Sequence, residues 1–131
     1  MTDEERTNTE IQKVTLTLHN AINCDSMFKG CSELTDVDLT LPHAVYCQQM
    51  FYRCPNLTNV KIDAAVCKYY NAMFSENPSL ESVDLNLPQA TNCYNMFLSC
   101  RSLVSANLNI PNATGVDGMF YNCSALESVN Y

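Results

Sequence analysis

Eight cysteines and two histidines carry the richest chemistry in this 131-residue chain. Thiolates and imidazoles bind zinc when they cluster, and a thiol beside a base can act as a nucleophile. Both uses need tight grouping. There is no Cys-x-x-Cys, and His19 and His43 are each alone in their part of the pattern. The histidines read as exposed turn residues, and no metal site is expected. Asp36 and Asp38 form a carboxylate pair of the kind used in acid–base catalysis. Their spacing of two puts both on the outward face of a strand, where a solvated surface is the plain reading. No glycine-rich loop is present to cradle a phosphate. The chain reads as non-catalytic, with no cofactor.

The cysteines are informative for their period. Cys24, Cys47 and Cys93 share one column of a 23-residue repeat, and Cys31, Cys54, Cys100 and Cys123 share another. The same step spaces Met27-Phe28, Met50-Phe51, Met73-Phe74, Met96-Phe97 and Met119-Phe120. Seven residues after each Met stands Leu34, Leu57, Leu80, Leu103 or Leu126. Then come Val37, Val60, Val83, Ala106 and Val129, followed by Leu39, Ile62, Leu85, Leu108 and Tyr131. Ile11, Val14, Leu16, Leu18, Ala21 and Cys24 fit the template one period earlier. The repeat covers 11–131, with units starting near 27, 50, 73, 96 and 119, a partial first unit at 11–26 and a truncated last one. Residues 1–10 read as a polar tail.

These columns dictate the elements. Leu-x-x-Val-x-Leu alternates apolar and polar residues at its end, which suits a short strand with one buried face. A single such strand cannot bury that face, but stacked coils can. About six parallel strands roughly 4.8 Å apart give a sheet on the order of 24–30 Å long. Pro42, Pro88 and Pro111 follow the strand, where no ladder donor is needed. The return segment is too short for a full helix, so turns and extended or 3₁₀ pieces are expected on the convex side, with little α-helix.

The pattern Phe-x-x-Cys-x-x-Leu-x-x-Val-x-Leu-x-x-Pro, as in Phe28 to Pro42, resembles the BspA-like leucine-rich repeats, also called the Treponema pallidum type. It recurs at Phe51-Tyr52-Arg53-Cys54, Phe97-Leu98-Ser99-Cys100 and Phe120-Tyr121-Asn122-Cys123. Departures are Met before each Phe, a slightly later proline, Asn77 in place of Cys and Ala65 in place of Pro. The resemblance implies a right-handed solenoid used for adhesion or protein recognition, often at the surface of host-associated bacteria and some parasitic protists. It implies no activity and names no ligand.

Two readings of the cysteines stay open. Neighbours in a column would have Cα atoms about 5 Å apart, within reach of a bridge. Free thiols packing as small apolar groups fit better with columns that also take Tyr70, Val116 and Asn77. Reduced thiols suit a cytoplasmic setting, whereas the resemblance points to a cell surface, so the location is open. The start, Met1-Thr2-Asp3-Glu4-Glu5-Arg6, has no apolar stretch behind a basic residue, and no membrane span is visible. A formal charge of -7 argues against nucleic acid as a partner, because that needs a basic patch. Asn56, Asn112 and Asn122 begin tripeptides of the glycosylation type, which arise easily in such a composition.

Three surfaces are candidates for a protein, or else a glycan, ligand. The outward strand columns carry Asp36, Asp38, Lys61, Asp63, Asp84, Asn86, Asn107 and Asn109. Short polar residues there also serve plain solubility and ladders between coils. Tyr52, Tyr69, Tyr94 and Tyr121, with Tyr46 and Tyr70, flank the Met-Phe segments and supply contact area with a polar handle. Leu126, Ser128, Asn130 and Tyr131 form a final strand with no cap behind it, an edge on which a second copy could pair to give a homodimer.

Overall fold

The computed structural model describes residues 11–131; the expected polar tail, 1–10, lies outside the described residues. Six strands recur at the predicted places: β1 (Lys13–Thr17), β2 (Asp36–Thr40), β3 (Asn59–Asp63), β4 (Ser82–Asn86), β5 (Ser105–Asn109) and β6 (Ser128–Asn130). All paired neighbours are parallel and in the register of the repeat, with Val14 opposite Val37 and Val37 opposite Val60. The ladder is not one continuous sheet. It forms two three-stranded sheets, β1-β2-β3 and β4-β5-β6. The interruption is confined to the strand side. On the lateral side a second, one-residue-wide ladder runs through Asn23, Tyr46, Tyr69, Asn92 and Gly115 without a break.

The break falls beside the coil whose interior departs most from the others. Tyr70 replaces the column cysteine and is fully buried, while Ala64 stands where Leu41 and Leu87 fill neighbouring coils. Large for small and small for large keep the volume of that coil's core, as dense packing requires. The Tyr70 hydroxyl reaches the Ala64 carbonyl at 3.5 Å.

The remaining core follows the columns. Leu34, Leu57, Leu80 and Leu103 are fully buried. Phe28, Phe51, Phe74, Phe97 and Phe120 stack face on face with centroids 5.5 Å apart. Burying each central ring stabilises the coil stack by about 1.5–3 kcal/mol.

The return segments contain no α-helix or 3₁₀ helix among the described residues; they are successive turns. Backbone geometry gives the reason. Each coil passes twice through left-handed φ, first at Ser26, Gln49, Ala72, Asn95 and Gly118, then at Gly30, Arg53, Glu76, Ser99 and Asn122. A left-handed residue ends any right-handed helical run. Between these points the donors divide. Met27, Lys29 and Cys31 donate three residues back, whereas Ser26, Phe28 and Gly30 donate to the next coil. The division recurs in the following coils, except that the Cys54 N–H goes to the Asn77 side chain, and the inter-coil N–H groups of these turns point toward the C-terminal end.

All eight cysteines are free. One column bonds in a regular way: Cys54, Cys100 and Cys123 donate their thiols to the carbonyls of Phe28, Phe74 and Phe97 at 2.9–3.1 Å. Burial pushes Cys54 and Cys100 up to about 12, which keeps them protonated donors.

Candidate interaction surface

On the strand face, five of the eight predicted side chains take part in hydrogen bonds between coils. Asn107 donates to Asp84 at 3.1 Å, Asn130 to Asn107 at 3.1 Å and Asn109 to Asn86 at 2.6 Å. Asp36 accepts from the Thr35 hydroxyl and the Asn59 amide, both at 2.7 Å, and these bonds hold its carboxyl below the usual range. Amide ladders of this kind join stacked coils, the plain reading of a polar strand face. Asp38 and Lys61 are register partners beside a shallow depression of about 330 Å³ that also meets Lys13 and Asp36. Asp63 lies exposed at the end of β3.

The tyrosines do not form one stripe. Tyr70 belongs to the core, because its column is the inward one of Cys24, Cys47 and Cys93. Tyr52 lies between Lys29 and Arg53, whose charges sit 5.3 and 5.1 Å from its ring centre. Arg53 is paired with Glu76 at 2.6 Å. Hydrogen bonds from Arg53 and Tyr52 hold the Glu76 carboxyl below its ordinary value. Tyr121 shares the Tyr52 column three coils further on and is exposed.

Tyr46, Tyr69 and Tyr94 gather elsewhere, on the lateral ladder. Alternation about the inward Cys24 column turns its two flanking columns outward. One reads Asn23, Tyr46, Tyr69, Asn92, Gly115; the other reads Asp25, Gln48, Asn71, Tyr94, Asp117. Tyr46 and Tyr69 stack at 5.2 Å. The Tyr94 ring lies over Gly115, where an added Cβ would come within 2.5 Å of it. The ring thus takes the place of a side chain that the first column lacks there.

Amides fix the floor beside the rings. The Gln48 N–H donates to Asp25 at 2.7 Å, the Asn71 amide to Gln48 at 3.1 Å and the Tyr94 N–H to Asn71 at 3.1 Å. With Ser26, Gln49 and Asn95 they line an open groove of about 450 Å³. Sequence reasoning missed Gln48, Gln49, Asn71 and Asn95. Their signal was the same alternation about the cysteine column, applied to polar residues.

At the C-terminal end, β6 pairs with β5, and Ser128, Asn130 and Tyr131 are exposed while Leu126 is half-buried. Exposed His19 and His43 lie outside all these surfaces. Among the described residues, no helix is long and apolar enough to cross a membrane. No group of three or more metal-ligating side chains is drawn together among them.

No curated protein and no solved structure matches the chain. The BspA type leucine rich repeat region matches it in 6 copies over residues 6–127. Six copies over nearly the whole length, with the strands and buried columns in the same register, mean that the chain belongs to the BspA-type leucine-rich repeat family.

Proposed function

We propose that this chain is a non-catalytic protein-interaction module of the adhesive kind, with its contact surface on the lateral ladder. The observation that carries the reading is the amide-lined groove bordered by Tyr94, with the stacked Tyr46 and Tyr69 rings on the neighbouring outward column. Tyrosine supplies rigid contact area with little loss of side-chain entropy, and amides supply adaptable hydrogen bonds. Tyr46 and Tyr94 are each 39% exposed, enough to be covered by a partner. The strand face is the weaker candidate, since its amides are engaged in ladders and it has no aromatic anchor. A protein surface is the preferred ligand; a glycan, read by the same rings and amides, is the alternative.

A binding screen against extracellular matrix proteins and a glycan array tests this. Tyr69→Ser with Tyr94→Ser should abolish any signal, whereas Asp84→Ser with Asn109→Ser should leave it. Gly115→Ala should weaken it while the fold persists, by forcing the Tyr94 ring aside. Binding that survives the tyrosine pair but fails with the strand-face pair would sink the proposal.

A second reading has its own support. Along the turns, each coil offers N–H groups toward one end of the stack and carbonyls toward the other. Copies adding through β6 and these turns would run head to tail, a geometry that grows open assemblies. Sedimentation across a concentration series separates the two: a monomer at all concentrations removes the second reading.

A further inference from the structure

The core holds one chemical feature that the repeat does not explain, buried directly beneath the surface just proposed. The column of Ala21, Ala44, Ala90 and Ala113 contains a single thiol, Cys67. Its Sγ lies 3.2 Å from the Sγ of Cys47 in the preceding coil. Both residues are fully buried. The thiols of Cys54, Cys100 and Cys123 each meet a phenylalanine carbonyl, whereas Cys67 meets both the Val45 carbonyl, at 3.2 Å, and the Cys47 sulfur.

We propose that Cys47 and Cys67 are an oxidisable pair that closes a covalent bond between adjacent coils in response to a hydroperoxide. Closure asks the sulfurs to approach by about 1.2 Å, since a disulfide is roughly 2.04 Å long. The Cys67 thiolate attacks the peroxide oxygen, becomes a sulfenic acid and releases hydroxide. The Cys47 thiol then attacks the Cys67 sulfur, and the sulfenic oxygen leaves as water. Two thiols and one hydrogen peroxide give one disulfide and two waters.

The surroundings favour Cys67 as the attacking sulfur. The hydrogen bond it shares with Cys47 pulls its pKa below the ordinary value, and burial opposes this. The Tyr70 hydroxyl and the backbone N–H groups of Tyr69 and Lys68 add to the lowering. Cys47 is pushed the other way by the same hydrogen bond and by burial. The pair therefore divides into a nucleophile and a resolving thiol. Hydrogen peroxide is the fitting oxidant because it is small enough to reach a buried sulfur.

The full reduced chain, freed of reductant, would be titrated with hydrogen peroxide and its thiols counted after denaturation. The count should fall from eight to six. Peptide mapping without reductant should place the bridge at Cys47 and Cys67. Thermal unfolding should shift upward on oxidation and return with dithiothreitol. Cys67→Ala installs the residue that four other coils carry at this place, so its seven thiols should persist through the same titration. An unchanged count of eight, a bridge elsewhere, or equal thiol loss in Cys67→Ala would overturn the proposal. The wild-type peptide map decides the matter even if the variant fails to fold.

Discussion

Asn77 is the position where one substitution should improve the protein. It stands in the column of Cys31, Cys54, Cys100 and Cys123 and is fully buried. Its Oδ1 accepts the Cys54 N–H at 2.7 Å, and its Nδ2 has no partner. In the cysteine coils, one phenylalanine carbonyl serves two donors. Phe28, for example, accepts the Cys31 N–H and the Cys54 thiol. Asn77→Cys should let the Phe51 carbonyl do the same, accepting the new thiol and the Cys54 N–H. Removing a buried unpaired donor is worth about 1–3 kcal/mol, and exchanging one backbone partner for another costs about 1 kcal/mol at most. The net expectation is a gain of roughly 1–2 kcal/mol, or about 3–8 °C in Tm for a chain of this size. Urea and thermal denaturation followed by far-ultraviolet circular dichroism, with reductant present, would measure it. Asn77→Ala is the control. It lacks both amide and thiol, and should be less stable than Asn77→Cys. A loss of more than about 1 kcal/mol in Asn77→Cys would overturn this expectation, because it would mean that the amide is fully satisfied where it sits.

Two further outcomes follow from the stacked core. Phe74→Ala removes a buried ring with neighbours on both sides and should cost about 3–5 kcal/mol, while half-buried Phe120, with one stacked neighbour, should cost clearly less; equal urea midpoints for the two variants would contradict the ladder account. Burial raises the folded-state thiols of Cys54 and Cys100 to about 12 and Cys93 to about 11, from an ordinary 9.0. Their contribution is whole below about pH 9 and is lost as the pH climbs toward 11–12, since the unfolded chain releases these protons first. Urea midpoints under reducing conditions should therefore fall steadily above pH 9, and more gently in Cys100→Ser.

The repeat made the architecture legible before any coordinates. A strict 23-residue step leaves no freedom in register, so Val37 can only oppose Val14 and Val60. Apolar columns named the core because a solenoid buries the same position in every coil. The left-handed turns were not legible, because Gln49, Arg53 and Glu76 adopt them without the glycine that usually signals φ > 0. Sequence placed the tyrosines on the return segments, but their sides depend on alternation within a turn series. That alternation sent Tyr70 inward and Tyr69 outward. Period determines which residues share a column. Only the folded chain decides how columns from different coils meet, because a column of alanines and a column of cysteines become neighbours through the curvature of the coil. The 3.2 Å contact of Cys47 with Cys67 and the Tyr94 ring over Gly115 are meetings of this kind, between different columns of adjacent coils.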